Sequence, residues 1–483
     1  MTLKKWLLWE HSDTCEWSSR PIESRGKRYK MMAWMFPHIL CMILISSAAH
    51  ATTYYVSTSG NDGNPGTSNS RWRTITKCAA VMVAGDTCII GNGTYVENTI
   101  TPTTGISGSP ITFIAENKWL AILSVNGTCG AHGFNFNEGK SYIILDGVKI
   151  QQDASYVCAD PFNGLSAAVK GLGTQLPHIT GPATTGNCCI TVRNVYIAPI
   201  PGFQVGIKIN QDQSLIENNE VHSSLEALNS EGSIFRGNTM YESDAGGDTF
   251  SCKGGARNCQ FYNNILHKTK NGEGILLGGA SGIANDWDPS TAFECYNCIA
   301  YNNVVINEFL SDTQPALLGM RACSNCSIFN NVVMGGQLFM GPSNGANNAN
   351  PTFKNNIVTC GPNGAATSSF NGWATWVTGT LTVDFNDFFS CTSGIPSQVH
   401  PITGDPKFVN SASDWHLQAG SPAIDAGTPI TNIAKYGGGT FSGLNLTMSG
   451  VLRPVGSNWD LGVYESGAND TSAPSTPKNL RVL

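Results

Sequence analysis

One tripeptide outline recurs through the middle of the chain: ENN at 217–219, RGN at 236–238, YNN at 262–264, YNN at 301–303, FNN at 329–331 and KNN at 354–356, each followed by an apolar pair or near-pair. The final asparagines are spaced by 19, 26, 39, 28 and 25 residues, and the interval of 39 holds an insertion around Asp286-Trp287-Asp288. The other intervals have the length of one coil in a β-solenoid, where each repeat stacks on its neighbours and buries a continuous core. An amide placed at one turn of every coil can bond to the amides above and below it, as asparagine ladders do in stacked strands. The expected fold is all-β, a right-handed parallel β-helix from about Thr52 to Ser390, with the remainder forming a C-terminal cap.

Composition agrees. Of 483 residues 41% are hydrophobic and only 13% charged, enough to bury a large core, and 53 glycines suit many short strands joined by tight turns. Near the N-terminus a basic stretch, Gly26–Lys30, precedes the largely apolar Met31–Ile45 and the small-x-small site Ala49-His50-Ala51. That order is the outline of a secretory signal peptide, and the apolar run is too short for a membrane span. Residues 1–30 then read as upstream sequence from a misplaced start, and 31–51 as the signal. Removing 1–51, with its seven Lys/Arg and four Asp/Glu, leaves 21 basic and 30 acidic residues, net about −9. Such a chain is not expected to bind nucleic acid, and a monomer without a membrane span is expected after processing.

Two longer stretches carry a resemblance. Tyr54–Ala80, with GDTCIIGNGTYVEN after it, resembles the opening of many secreted right-handed parallel β-helix proteins. GDPKFVNSASDWHLQAGSPAIDAGT at 404–428 and RPVGSNWDLGVYE at 453–465 resemble the segment that closes such helices in secreted bacterial proteins. The resemblance implies a helix over 52–390 and a closing segment over 391–467. The tail 468–483 resembles a linker entering the first strand of a fibronectin type III domain.

Sixteen cysteines in a secreted chain point first to disulfides. Cys295-x-x-Cys298 and Cys323-x-x-Cys326 have zinc-ribbon spacing, yet Cys259, Cys298 and Cys326 each lie four residues before an Asn pair, and Cys295 and Cys323 each lie seven before. Equivalent positions on neighbouring coils are about 4.8 Å apart, within disulfide range. Coil-to-coil disulfides or a buried thiol ladder are therefore expected, with Cys252 an inward-facing thiol.

The same registration brings Glu226–Glu231, Asp248–Lys253 and Glu273–Gly278 over one another. Three carboxylates, Glu226, Asp248 and Glu273, would then share one outward column beside Lys253. Like charges so placed call for a cation, and calcium takes hard oxygen ligands of this kind. His267 is expected in a turn. Asp248, Phe250 and Lys253 resemble the Asp-Gly-Phe-x-x-Lys strand of calcium-dependent pectate lyases, with Glu273 at one further acidic position, while Gly272 and Leu276 stand at the other two. In the alginate lyase and chondroitinase B group, an acidic residue five before a catalytic lysine is followed one coil on by an arginine. Asp248 and Lys253 fit, Gly278 stands at the arginine's place, and Arg257 and Arg321 are the candidates to replace it. The strongest overall likeness is to secreted β-helix proteins with a KGG(S/A)RN…GGxxG pattern, here Lys253–Asn258 and Gly278–Gly282.

These resemblances imply a carbohydrate-active enzyme, first a polysaccharide lyase acting on a uronate-containing polymer. Lys253 would be the base, Asp248, Glu273 and Arg257 its catalytic companions, Asp248, Glu273 and Glu226 the calcium ligands, and Glu226, Glu231, Arg321 and Trp287 the substrate contacts. A glycoside hydrolase with paired carboxylates is the first alternative. A non-catalytic glycan-binding helix, with Trp287, Trp373 and Trp376 as platforms, is the second.

Overall fold

The computed structural model describes residues 51–128, 130–136, 140–156, 167–171, 188–199, 205–241, 250–268, 273–281, 293–308, 316–360, 370–371 and 375–467. One coil shows how the chain is wound. Gln260–Tyr262 runs into Ile265–Lys268, then Ile275–Gly278, then Cys295–Tyr296, and Ile299–Tyr301 begins the next turn directly over Gln260–Tyr262. Stacking equivalent strands produces parallel sheets of twelve, eleven, nine and five strands, each ordered along the chain, and the result is a parallel β-helix. Inward positions are filled by Phe, Ile, Leu, Val and Cys, among them Phe113, Phe134, Phe235, Phe261 and Phe353, all fully buried.

From Leu215–Glu217 to Thr352–Lys354, the corners between the twelve- and eleven-stranded sheets are built by the tripeptide outline. Its middle residue takes the left-handed conformation, as at Asn218, Asn263, Asn302, Asn330 and Asn355 (φ 51–57°), which asparagine tolerates better than other side chains. Its last residue points inward. Asn219, Asn238, Asn264, Asn303, Asn331, Asn356 and Asn386 form one continuous ladder, each amide donating to the next Oδ1 at 2.9–3.0 Å. The expected column is therefore present, with one rung more than the pairs revealed, because at Asn386 the left-handed partner is Phe385. Gln398 ends the ladder from the closing segment: its Oε1 accepts the Asn386 backbone N–H at 2.8 Å and side-chain amide at 3.0 Å.

At the other end a short helix, Ile75–Val81, caps the core with Ile75, Cys78 and Ala79, and Thr74 accepts the Lys77 N–H as its N-cap. Beyond the last coil, the closing segment runs back along the flank as well as covering the end. Trp415, Leu417, Leu461, Val463 and Tyr464 pack on Val304, Val332 and Ile357, while Phe441, Leu444 and Trp459 pack on Ile299, Tyr301 and Phe329. The left-handed asparagines serve it too: Asn263, Asn302, Asn330 and Asn355 donate to the carbonyls of Met448, Leu446, Asp460 and Thr428. Inside this layer Arg453 and Glu465, both with fully buried side chains, pair at 2.8 Å. Removing one partner strands the other's charge, so Arg453→Ala is expected to cost about 3–5 kcal/mol by denaturant titration. No helix among the described residues is long and apolar enough to cross a membrane.

The cysteines follow the register. Cys295 and Cys323 pair across adjacent coils and form a disulfide with Cα atoms 4.8 Å apart, which removes two of the four zinc-ribbon ligands. Cys252, Cys259, Cys298 and Cys326 are free and buried, and burial pushes the Cys252 thiol up. Further disulfides join Cys78 to Cys88, Cys188 to Cys189 and Cys360 to Cys391.

Candidate active site

Lys253 ends the strand Phe250–Lys253 of the nine-stranded sheet, where Phe250 and Cys252 fill the core and Ser251 and Lys253 take the outward phase. Side chains alternate across a strand, so residues two apart share a face. On the preceding coil the register pairs Glu226 with Ser251 and Leu228 with Lys253, and one coil earlier Lys208 pairs with Glu226. Glu226 is thus three residues away from the expected column. On the following coil Ser251 pairs with Leu276, which puts Glu273 outside the row of Glu226. The three-carboxylate column does not form.

What forms instead is a cationic cluster. Glu226 lies between two ammonium groups, its Oε1 2.5 Å from Lys253 Nζ and its Oε2 in contact with Lys208 Nζ. Its side chain is only 9% exposed. Burial raises its proton affinity, but the charges of Lys253 and Lys208 outweigh burial and hold the carboxyl below its usual range. Two cations and one anion leave the cluster with one net positive charge at an outward face.

A second ion pair lies farther along the same sheet. Arg321 stands in register with Gly278, on the row that Lys253 occupies, about two coil rises (~9.6 Å) from it. Its guanidinium contacts Glu273. One glycine lies against its side chain: a Cβ at Gly341 would sit 3.4 Å from Arg321 Nε, while one at Gly278 would sit 1.9 Å from the Arg321 carbonyl oxygen. Of the two arginines named as replacements, Arg321 is the one on the lysine's row.

Arg257 and Glu231 are placed elsewhere. They bridge each other one turn farther round, beside the five-stranded sheet. Arg257 lies over the Tyr436 ring at 4.2 Å, and Glu231 accepts from Asn258 at 3.4 Å. Both serve the contact with the closing segment. Asp248, Trp287 and Trp373 lie outside the described residues. Trp376 is described, and its carbonyl accepts the Asn348 N–H at 2.9 Å beside the five-stranded sheet. His267 belongs to a strand rather than a turn. It stacks on Tyr241 at 4.8 Å in an external file with His222 and bonds Glu308 at 2.6 Å.

The carboxylates assigned to calcium do not suit it. Glu226 is committed to two lysines and Glu273 to Arg321, so a divalent cation would have to displace basic side chains to reach either. No catalytic step is therefore derived through calcium.

Two contributors were not anticipated. Lys208 lies on Val205–Ile209, before the first Asn pair, where the repeat gives no register. Glu294, fully buried, accepts from the Gly254 N–H at 2.8 Å, from the Ser281 N–H at 2.9 Å and hydroxyl at 2.6 Å, and from Asn344 at 2.6 Å. One carboxylate so ties the turn after Lys253 to the turns of the next coils, which gives the KGG…GGxSG pattern a physical cause. Glu294→Ala would strand several buried donors at once and is expected to cost at least about 3 kcal/mol by denaturant titration.

No family model matches the chain, and no curated protein matches it. Solved structures do. A complex of XylC with xylose is 12% identical, with 86% of this chain and 98% of that one covered and a TM-score of 0.53. Pectate lyase Pel9A is 15% identical, with 86% and 96% covered and a TM-score of 0.49. A lacto-N-biosidase of family GH136 from Eubacterium ramulus is 10% identical, with 73% and 67% covered and a TM-score of 0.45. What this chain shares with XylC is the parallel β-helix fold. At such identities a β-helix alone does not fix an activity.

Proposed function

We propose that this protein is a secreted enzyme that cleaves a uronate-containing polysaccharide by β-elimination on the outward face of the nine-stranded sheet. The observation that carries the reading is the Lys208–Glu226–Lys253 cluster, a part-buried site with excess positive charge on a chain that is acidic overall. A uronate carboxylate entering this site meets the ammonium groups. The Lys208 ammonium stabilises the enolate-like anion formed when the proton alpha to that carboxylate is removed, and Lys253 adds its charge once it has taken that proton.

Lys253 is the base in this reading. As the neutral amine it takes the proton alpha to the carboxylate and becomes an ammonium, the electron pair left behind forms the carbon–carbon double bond, and the bond to the neighbouring glycosidic oxygen breaks as that oxygen leaves and is protonated by water. Glu226 holds both lysines at one place and moderates their charge. Arg321, aligned by Glu273, offers a second anion contact suited to the next uronate along the chain. Hydrolysis would need a carboxyl group that holds its proton near neutral pH, whereas Glu226 is held below the usual carboxylate range. The disulfides suit an oxidising, extracellular setting.

Incubating the chain from residue 52 onward with a panel of polyuronates, and following the absorbance of unsaturated products, tests the reading. Product from one polymer is expected. Binding without cleavage would favour a glycan-binding helix, and saturated products a hydrolase. Because the Glu226 carboxyl is stabilised as the anion, its contribution to stability should be fully present above the ordinary carboxylate range near 4.5 and be lost as the pH falls through its lowered value. Because Lys253 acts as the neutral amine, activity in a pH–activity profile is expected to rise with pH as its ammonium loses the proton.

A further inference from the structure

The left-handed corner residues follow one another along the helix as Asn218, Gly237, Asn263 and Asn302. Asn263 and Asn302 donate to the Met448 and Leu446 carbonyls at 3.1 and 2.6 Å, which holds the closing segment against their coils. Gly237 keeps the left-handed turn, at φ 63°, but has no amide to extend that contact by one coil. A cleft of about 880 Å³ lies there, between the corner and the stretch 442–450 of the closing segment. Its volume is within the roughly 300–1,000 Å³ of sites that hold small ligands.

Its walls are of two kinds. Tyr262, Ile265, Leu446 and Met448 supply apolar surface. Beside them Arg236 donates to Glu217 Oε2 from Nε at 2.9 Å and from Nη2 at 2.7 Å, and to the Tyr262 hydroxyl from Nη1 at 3.2 Å. A guanidinium has five N–H groups, so these bonds leave two of them to donate, and they leave Glu217 Oε1 to accept. Asn263, which also lines the cleft, has its Oδ1 buried without a hydrogen-bond partner, whereas a buried acceptor is normally satisfied.

Among the described residues that line the cleft, Glu217 and Arg236 alone are charged, and they cancel. The cleft therefore offers a uronate no excess of positive charge, unlike the lysine cluster. A sugar hydroxyl both donates and accepts, so neighbouring hydroxyls of one ring match a guanidinium N–H and a carboxylate oxygen held side by side, while the C–H face of the ring covers the apolar wall. We propose that this cleft is a second carbohydrate site, which binds a neutral oligosaccharide without cleaving it. It lies where the twelve- and eleven-stranded sheets meet, whereas the lysine cluster is on the nine-stranded sheet, and it stands whether or not elimination takes place there.

Isothermal titration calorimetry of the full chain from residue 52 with cellohexaose, mannohexaose and galactohexaose tests it. Saturable binding of at least one is expected. Gly237→Asn restores the outline of the other coils with a residue that accepts the left-handed turn. The atom its Cβ would meet, Asn218 Oδ1 at 2.4 Å, ends a flexible side chain that can move aside. This variant should melt no lower than the parent, yet its amide enters the cleft and should abolish binding. Arg236→Ala should weaken binding about tenfold or more. Lys208→Ala and Lys253→Ala should bind the neutral oligosaccharide as the parent does. Failure of all three oligosaccharides to bind would overturn the proposal, as would full affinity in Gly237→Asn. Binding that is lost in Lys253→Ala would also overturn it, since the ligand would then sit at the lysine cluster.

Discussion

Lys253→Ala is expected to lower kcat/KM on the cleaved polyuronate by about 10²–10⁴-fold, the range that removal of a positioned general base commonly gives. The loss should fall mainly on kcat, because Lys208 remains to meet the substrate carboxylate. Circular dichroism should be unchanged, since Lys253 is at an outward position and the core residues of its strand, Phe250 and Cys252, are untouched. Lys208→Ala should act differently. It removes a charge that binds the carboxylate in the ground state as well as in the transition state, so a rise in KM is expected alongside a smaller fall in kcat. If both variants lost activity only in proportion to lost stability, the cluster would be structural.

Asn331→Ala should have the largest effect on the fold. Its amide donates to Asn356 Oδ1, to the Ala300 carbonyl and to the Phe329 carbonyl, each at 3.0 Å, and its Oδ1 accepts both the backbone N–H and the side-chain amide of Asn303. All of this is buried. Alanine removes the side-chain half of every bond at once and leaves the partners dry. At about 1–3 kcal/mol for each stranded group, a loss of about 4–6 kcal/mol is expected from denaturant titration. Asn330→Ala, one residue earlier, has a different basis: it loses the left-handed preference and the bonds to Asp460 and Gly462, so its cost should appear as loosening of the closing segment.

The coil was legible because a buried amide ladder imposes one residue type at one corner of seven successive turns, and six of its seven rungs belong to the tripeptide outline. Asn386 escaped because its corner is built by Phe385. The site was legible only in part, and the reason lies in the connectors. From the ladder asparagine to the inward residue that opens the nine-stranded sheet the advance is 6 positions for Asn219 to Leu225, 12 for Asn238 to Phe250 and 11 for Asn264 to Ile275. The asparagines therefore do not fix which residue faces Glu226: the expected partner Asp248 lies three residues short of the observed Ser251. Lys253 was found because its motif is local. Lys208 was missed because its coil precedes the Asn pairs, and the pairing of Glu273 with Arg321 joins residues 48 apart across an interval that the Asn spacing does not register.

The central claim is that the lysine cluster reads a carboxylate and uses it in elimination. Its most direct test is to treat one cleaved polyuronate and its carboxyl-reduced, neutral counterpart with the same preparation, and to follow unsaturated chain ends. The account predicts unsaturated ends from the uronate polymer and none from the reduced polymer. Equal cleavage of both, or cleavage of the uronate polymer that yields only saturated ends, would contradict it.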